Sequence, residues 1–536
     1  VIWALLLACV EDVPREPGVA VLMLEQQATW IRNFNPFVPT SARRPTGSGV
    51  YEPLMIYNAM DGTWVGWLAT EYAWSPDATE LRFTIREGVQ WSDGAPFSAD
   101  DVVFTFELMR ANPGMDVGAV WSFLDAVELE EDGTVLFRFQ RPYVTGLQAV
   151  AQQAIVPQHI WSELDDPLIF ANEDPVGTGP FTEVRVFRSQ VFELGANPYY
   201  WQDLGIDAIR MPALSSNDQA NLALIQGELD WAGLFVPAVE RVYIGRDPEH
   251  FNAWFPTQQG TIFLYANTTV EPLDDPRVRQ ALSLAIDREL LVDVAMYGYT
   301  TPSHPSGLSD GFSDWIDPSA GPGWTHLDRD RAAALLDEAG LTMGPDGVRT
   351  LPDGSPLTLE ISCPAGWSDW VRGIQVIAHD LREIGLDVDV AGNDFSAWYE
   401  RVSRGDFQLS LGWTETGPTP IAQYKALLHP DGVKPVGETS FRNWHRYGSP
   451  AAAPLIDAFD ATPDPAEQQR IVRELQGIFL EEAPAIPLFP APSWGESSTR
   501  YVTGFPSEDD PYAVLSPNKG PGNLLVLTRL QTVEAQ

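Results

Sequence analysis

Asn172-Glu-Asp-Pro-Val-Gly-Thr-Gly-Pro-Phe181 is the stretch on which the reading of the fold turns. Its two glycines suggest a phosphate loop at first sight. Pro180, however, has no backbone N–H to offer an anion where such a loop needs one. The glycines are therefore read as a tight turn leading into a strand. Two further segments stand out, Gly88-Val-Gln-Trp-Ser-Asp-Gly-Ala-Pro-Phe97 and Asp275-Pro-Arg-Val-Arg-Gln-Ala-Leu-Ser-Leu-Ala-Ile-Asp-Arg288. All three lie far apart, so chance likeness in one motif does not account for them.

Taken together, the three segments resemble the large extracytoplasmic solute-binding proteins of ABC importers, the peptide- and oligosaccharide-binding family 5, over roughly residues 18–530. The resemblance implies an α/β, two-domain periplasmic-binding-protein fold of type II with mixed sheets, an extra subdomain in domain one and a hinge between the domains. On this basis domain one is expected at 18–262 plus 487–530, with its subdomain at about 52–172, and domain two at 263–486. The crossovers near 261–267 and 484–490 are the expected hinge, and closure by a few hinge residues is the expected motion.

Length and composition agree with that organisation. A chain of 536 residues exceeds what a single hydrophobic core supports. Apolar residues at 44% and 19 Trp mark a folded chain. The net charge of −41 argues against nucleic acid and anionic membrane surfaces as partners. Of the 33 cations only Lys425, Lys434 and Lys519 are lysine. A GC-rich genome accounts for that bias, while the acidity leaves the habitat open.

The two cysteines are Cys9 and Cys363. The apolar run before Cys9 is too short to span a bilayer and resembles the tail of a bacterial lipoprotein signal. Residues 1–9 are thus expected to be a signal remnant ending in a lipidated Cys9, and 10–18 a tether. The mature protein is expected to be a monomer in the periplasm or on the outer face of the cytoplasmic membrane, touching the membrane only through its lipid.

Local patterns fill in the elements. Val19–Leu24 is a compact apolar run and reads as a buried strand, while 80–86 and 134–140 alternate as half-buried strands. Ser98 is a candidate cap for a helix with acids in its first turn. Helices are expected at 276–296, 328–340, 370–384, 395–403 and 464–481, and strands at 356–362, 386–391 and 406–412. The β-α-β alternation argues for α/β. Two Asp-Gly turns make 342–356 a hairpin.

Nothing points to an enzyme, a cofactor or a metal. The seven His form no His-x-x-x-His pair. A binding surface is read from aromatics instead. Sugar receptors lay flat rings against pyranose faces and read hydroxyls with Asn, Asp, Gln and Arg.

Thr29-Trp-Ile-Arg-Asn-Phe-Asn-Pro-Phe37 offers Trp30, Asn33 and Asn35. Cys363-Pro-Ala-Gly-Trp-Ser-Asp-Trp370 offers Trp367 and Asp369 in a loop between a strand and a helix, where ligands bind in α/β folds. Trp413 ends another expected strand.

Several of these segments resemble the cello- and chito-oligosaccharide-binding branch of the family, as do Asn217-Asp-Gln219, Glu228-Leu-Asp-Trp231 and Phe235-Val-Pro237. The resemblance implies that Trp367 stacks on a sugar ring and that Asp369 binds a hydroxyl. A second stacking Trp of that branch is absent, because this chain has Thr503-Gly-Phe-Pro506 there. Phe505, Trp413 and Trp494 are candidates to replace it, and Trp254 and Phe235 complete the candidate set. Each has a structural alternative. A Trp at a strand end also suits core packing, Asn33 and Asn35 also suit turn caps, and Asp369 also suits a helix N-terminus. The expected function is a receptor that delivers a β-linked oligosaccharide to an ABC permease and its ATPase, with an oligopeptide receptor as the alternative.

Overall fold

The computed structural model describes residues 15–24, 26–38 and 49–533, the side chains of 257–259 excepted. Cys9, the signal remnant and tether residues 10–14 lie outside the described residues.

Val19–Met23 is apolar and buried at every position, as a strand covered on both faces must be. It is the central strand of a seven-stranded sheet. The order is Phe251–Ala253, Glu496–Ser498, Trp231–Ala232, Val19–Met23, Ala208–Pro212, Val191–Ala196, Phe181–Arg188. The central strand runs parallel to both neighbours, and the other pairs are antiparallel. The turn before Phe181 explains its glycines. A Cβ at Gly179 would lie 1.8 Å from the Gly49 carbonyl oxygen, and one at Gly177 2.0 Å from that of Val50. The segment is pressed backbone to backbone against residues 49–50, which only glycine permits.

A five-stranded sheet follows, in the order Asp387–Asn393, Thr358–Pro364, Leu409–Trp413, Thr257–Ala266, Ile486–Pro492. Thr358–Pro364 is parallel to both neighbours and the remaining pairs are antiparallel, so both large sheets are mixed. Ile486–Pro492 is an edge strand, where Pro487, Pro490 and Pro492 are tolerated. Its proline pattern reads from sequence as the return into domain one. Its pairing keeps it beside Thr257–Ala266, so the chain passes between the sheets at 253–257 and 492–496 rather than at 261–267 and 484–490.

Residues 69–139 build a separate four-stranded antiparallel sheet, in the order Ala69–Trp74, Glu80–Ile85, Val135–Phe139, Leu124–Leu129. The helix Ala99–Ala111 packs on it. Ser98 is its cap, and the Asp101 carboxylate accepts the Ser98 N–H at 2.9 Å. The apolar packing divides in the same way. One buried cluster draws only on residues 262–489, and the other two only on 20–251 and 502–530.

The expected single helix 276–296 is two helices, Pro276–Ala285 and Arg288–Met296. Ile286 leaves helical geometry (φ −79°, ψ 121°), and Asp287 caps the second helix by accepting the Leu290 N–H at 3.0 Å. Adjacent in sequence, Asp287 and Arg288 suggest an ion pair. Arg288 instead is buried and donates to the carbonyls of Pro487 and Thr325 at 2.8 Å and of Ser283 at 3.0 Å, and to the Ser283 hydroxyl at 2.7 Å. It ties the edge strand to the helices above it.

Leucine at position 288 would leave those buried acceptors unpaired. Arg288→Leu is expected to destabilise the protein by roughly 3 kcal/mol or more, each orphaned group costing about 1–3 kcal/mol. Urea unfolding measures this, and a loss below ~1 kcal/mol would show that water replaces the guanidinium.

Candidate functional site

Thr358–Pro364 and Leu409–Trp413 are parallel neighbours, so their C-terminal ends open at one edge of the five-stranded sheet. Trp367 lies just past the first and Trp413 closes the second. Their ring centroids are 6.1 Å apart. Both rings are half-buried. Beneath them lie Trp370, Trp398 and Trp444, all buried, with Trp370 edge-on to Trp367 at 4.8 Å and Trp444 edge-on to Trp413 at 5.0 Å. Tyr399 stacks on Trp413 at 6.3 Å, within 10° of parallel. Trp398 is fixed further, donating its indole N–H to the Ser410 hydroxyl at 2.9 Å. Two partly open rings thus rest on a rigid aromatic bed.

The helix Ser368–Arg382 starts directly after Trp367. Asp369, in its first turn, is buried, and the Asn217 side-chain amide donates to its carboxylate at 3.2 Å. The same amide lies 3.4 Å from the Ser368 hydroxyl, and the Asn217 N–H donates to the Gly366 carbonyl at 3.0 Å. The Gln26 amide in turn donates to the Asn217 side-chain oxygen. Gln26 and Asn217 follow strands of the seven-stranded sheet, so the loops of the two large sheets meet here. Gly366 permits it, since a Cβ there would sit 2.8 Å from the Ser215 carbonyl oxygen. Burial pushes the Asp369 carboxyl up to about 6, against the opposing pull of helix N–H groups, Arg372 and Asn217. Expected to read a ligand hydroxyl, Asp369 is instead held by a side chain from across the junction.

One turn further along, the Arg372 guanidinium lies 4.9 Å over the Phe235 ring and 5.3 Å over Tyr297. Phe235 and Trp494 meet edge-on at 5.5 Å, and Phe255 and Tyr299 close around Trp494 at 5.1 and 6.0 Å. Phe255 and Trp494 sit in the two crossovers between the sheets. These aromatics therefore pack at the crossing point, and Phe235 is 1% exposed.

The other expected residues stand in separate surroundings. Trp30 is buried edge-on against Phe192 at 4.8 Å, and its indole N–H has no partner among the described residues. Asn33 accepts the Asn35 N–H at 2.9 Å. Asn35 is fully buried, accepts the Phe37 N–H at 2.9 Å and donates to the Pro167 and Phe170 carbonyls at 2.8 and 2.9 Å. The Asn35 side chain is consumed in holding its loop, which overturns its reading as a hydroxyl reader. Trp254 is half-buried, with its backbone N–H on the Gly495 carbonyl at 2.9 Å, and Phe505 leans on Trp231 at 6.0 Å.

A groove of about 820 Å³ opens between residues 118–153 and 415–468. A smaller cavity of about 130 Å³ adjoins it and shares Gln148, Gln152 and Thr416. The groove begins at Glu415, two residues past Trp413, and none of the ten residues expected from sequence lines it. Contacts cross its floor. Thr145 donates to the Asp460 carboxylate at 2.6 Å, Lys425 reaches the other oxygen at 2.8 Å, and the Val144 N–H donates to the Asp460 carbonyl at 2.7 Å. Its walls come from segments distant in sequence, so no local motif announces it. Among the described residues no cluster of His, Cys, Asp or Glu is arranged to hold a metal, and no helix is long and apolar enough to cross a membrane.

Residues 63–435 match the model of the bacterial extracellular solute-binding proteins, family 5, middle region. This chain belongs to that family, whose members bind solutes and are not enzymes. The nickel-binding periplasmic protein of Escherichia coli is 27% identical over 85% of this chain and 86% of its own length. A di/tripeptide-binding protein of Pseudomonas aeruginosa is 26% identical over 85% and 86%. A periplasmic oligopeptide-binding protein of Thermotoga maritima, solved with mannohexaose bound, superposes with a TM-score of 0.89 at 29% identity, covering 97% of this chain and 100% of that one. The fold is the α/β periplasmic-binding-protein fold with mixed sheets that the sequence implied.

Burial also raises the carboxyls of Asp230 to about 6 and Glu52 to about 7, alongside Asp369. A carboxyl whose pKa is higher folded than unfolded binds more protons in the folded state between the two values. Its contribution therefore makes the fold more stable as pH falls from about 7 to about 4. Asp369→Asn removes one such group, and the rise in melting temperature between pH 7 and pH 5 should become shallower, by roughly 1 kcal/mol of stability. A slope identical to that of the parent protein would show that Asp369 titrates as an ordinary carboxyl.

Proposed function

We propose that this chain is the substrate-binding receptor of an ABC importer and captures a β-linked oligosaccharide, of cello- or chito-type, by domain closure. It hands the sugar to a membrane permease with a cytoplasmic ATPase. The observation that carries this reading is the pair Trp367 and Trp413. They are half-open rings side by side on a buried aromatic bed, at the edge where an α/β sheet receives ligands. Such rings present a flat apolar face to the C–H face of a pyranose. The likeness to the Thermotoga protein with bound mannohexaose supports a carbohydrate ligand. The likeness to the di/tripeptide-binding protein favours the second reading, an oligopeptide receptor.

In this reading the seven-stranded sheet with its subdomain forms one jaw and the five-stranded sheet the other. Phe235, Trp494 and Tyr299 pack the hinge between them. A ligand favours the closed form only through contacts it makes with both jaws. A lipid on Cys9 would hold the monomeric receptor outside the cytoplasmic membrane.

Two linked measurements test the reading. A thermal-shift screen should show a rise in melting temperature with one series among cello-, chito-, xylo-, laminari- and manno-oligosaccharides, and none with di- to pentapeptides, because a ligand that binds only the folded state raises it. Trp367→Ala should weaken that binding by ~1–3 kcal/mol, the scale of one lost aromatic contact with its burial, while leaving the unliganded fold intact. A shift with peptides alone would overturn the sugar reading.

A further inference from the structure

Resting on the carbohydrate reading, we infer that the oligosaccharide is acidic, and that its uronate carboxylates are held by lysines along the groove that continues from Trp413. Every lysine of this chain lies there. Lys425 and Lys434 line the groove and Lys519 lines the small cavity that adjoins it. The other cations of the chain are arginines.

The charge balance gives the placement its meaning. The chain holds 74 acidic residues against 33 cations, so a cation finds a carboxylate easily. Within the groove three of the four acids are already engaged by cations, and the fourth, Asp431, lies 3.8 Å from the His429 ring. Asp460 is bonded by Lys425 and Thr145, Asp457 pairs with Arg141 at 3.1 Å, and Glu415 lies 4.0 Å from Arg442. Lys434 is exposed, and Lys519 has an exposed stem but an ammonium that burial at the small cavity holds below its ordinary range; neither ammonium makes an ion pair or hydrogen bond to the described residues. In a chain of net charge −41 the groove and its adjoining cavity carry five cations against four acids, and so lack the acidic excess of the rest of the chain. An anionic ligand approaching such a chain is repelled at long range and needs local cations to offset that field. Lysine suits the purpose, being a compact charge on a flexible stem that can follow carboxylates spaced along a sugar chain.

The groove wall begins two residues after the aromatic platform. Trp413 is followed by Glu415 and Thr416 in the groove wall, and the Gln148 amide donates to the Thr416 carbonyl at 3.3 Å from the opposite side. A sugar stacked on Trp367 and Trp413 would therefore have its next residues running towards Lys434 and Lys519.

The test is calorimetric titration of the intact protein with matched pairs, a manno-oligosaccharide against an oligomannuronate and a cello-oligosaccharide against a cello-oligouronate of the same length. The acidic member of a pair is expected to bind at least tenfold more tightly at low salt. That preference should shrink as NaCl is raised, because exposed charges are screened. In Lys434→Gln/Lys519→Gln, whose sites are exposed and whose melting temperature should match the parent, the ratio of the two affinities should fall towards one. Sugars binding with no acidic preference, or a preference that survives the double variant, would overturn the inference and leave the carbohydrate reading standing. Peptides binding while no sugar does would overturn both.

Discussion

The junction at Asn217 is the constraint on which the rest of the arrangement depends. One side chain takes a hydrogen bond from Gln26 and gives one to Asp369, while its backbone N–H is held by Gly366. These few contacts, with the aromatic packing around Phe235 and Trp494, join two sheets whose buried apolar clusters are separate. Each hydrogen bond is worth only about 0.5–1.5 kcal/mol net, or about 1.5–3 kcal/mol where a charge takes part. In the proposed reading, a junction of that strength would position the two sides without committing the protein to closure. The decision is left to a ligand that touches both sides. Placing Asp369 in the first turn of a helix, two residues after Trp367, puts the junction next in sequence to the ring proposed to meet the sugar.

Aromatic abundance by itself says little about sugar binding here. Most of the tryptophans with assigned roles are structural. Trp231 donates to the Leu515 carbonyl at 3.0 Å, Trp324 to that of Leu480 at 2.6 Å and Trp67 to the Glu52 carboxylate at 2.6 Å. Trp367 and Trp413 differ in being partly open above and fully supported below. The support matters because a ring already held in place loses little freedom when a ligand arrives. Phe235 and Trp494 use the same chemistry to a different end, packing the crossing point between the two sheets.

Much of the architecture was legible in the sequence. The alternation at 80–86 became Glu80–Ile85, and the Ser98 cap opened Ala99–Ala111. The strands expected at 386–391 and 406–412 became Asp387–Asn393 and Leu409–Trp413. These features are local and are set by periodicity and capping. Where the reading strayed, a distant partner decided. Ile486–Pro492 reads as the return to domain one until its pairing with Thr257–Ala266 is known. The break at Ile286 follows from Asp287 capping a new helix, a choice that competes with an unbroken apolar pattern. The side chain of Asn35 looks available for a ligand until the carbonyls of Pro167 and Phe170 are placed beside it. The groove was invisible because its walls are assembled from segments hundreds of residues apart.

The central claim is that Trp367 and Trp413 form the floor of a sugar site closed by the Asn217–Asp369 junction. A crystal structure of the protein with a tightly binding oligosaccharide tests it most directly. The account predicts pyranose rings lying flat on Trp367 and Trp413, with the Asn217–Asp369 hydrogen bond formed. A ligand seated elsewhere, with those two rings packed only against protein, would contradict it.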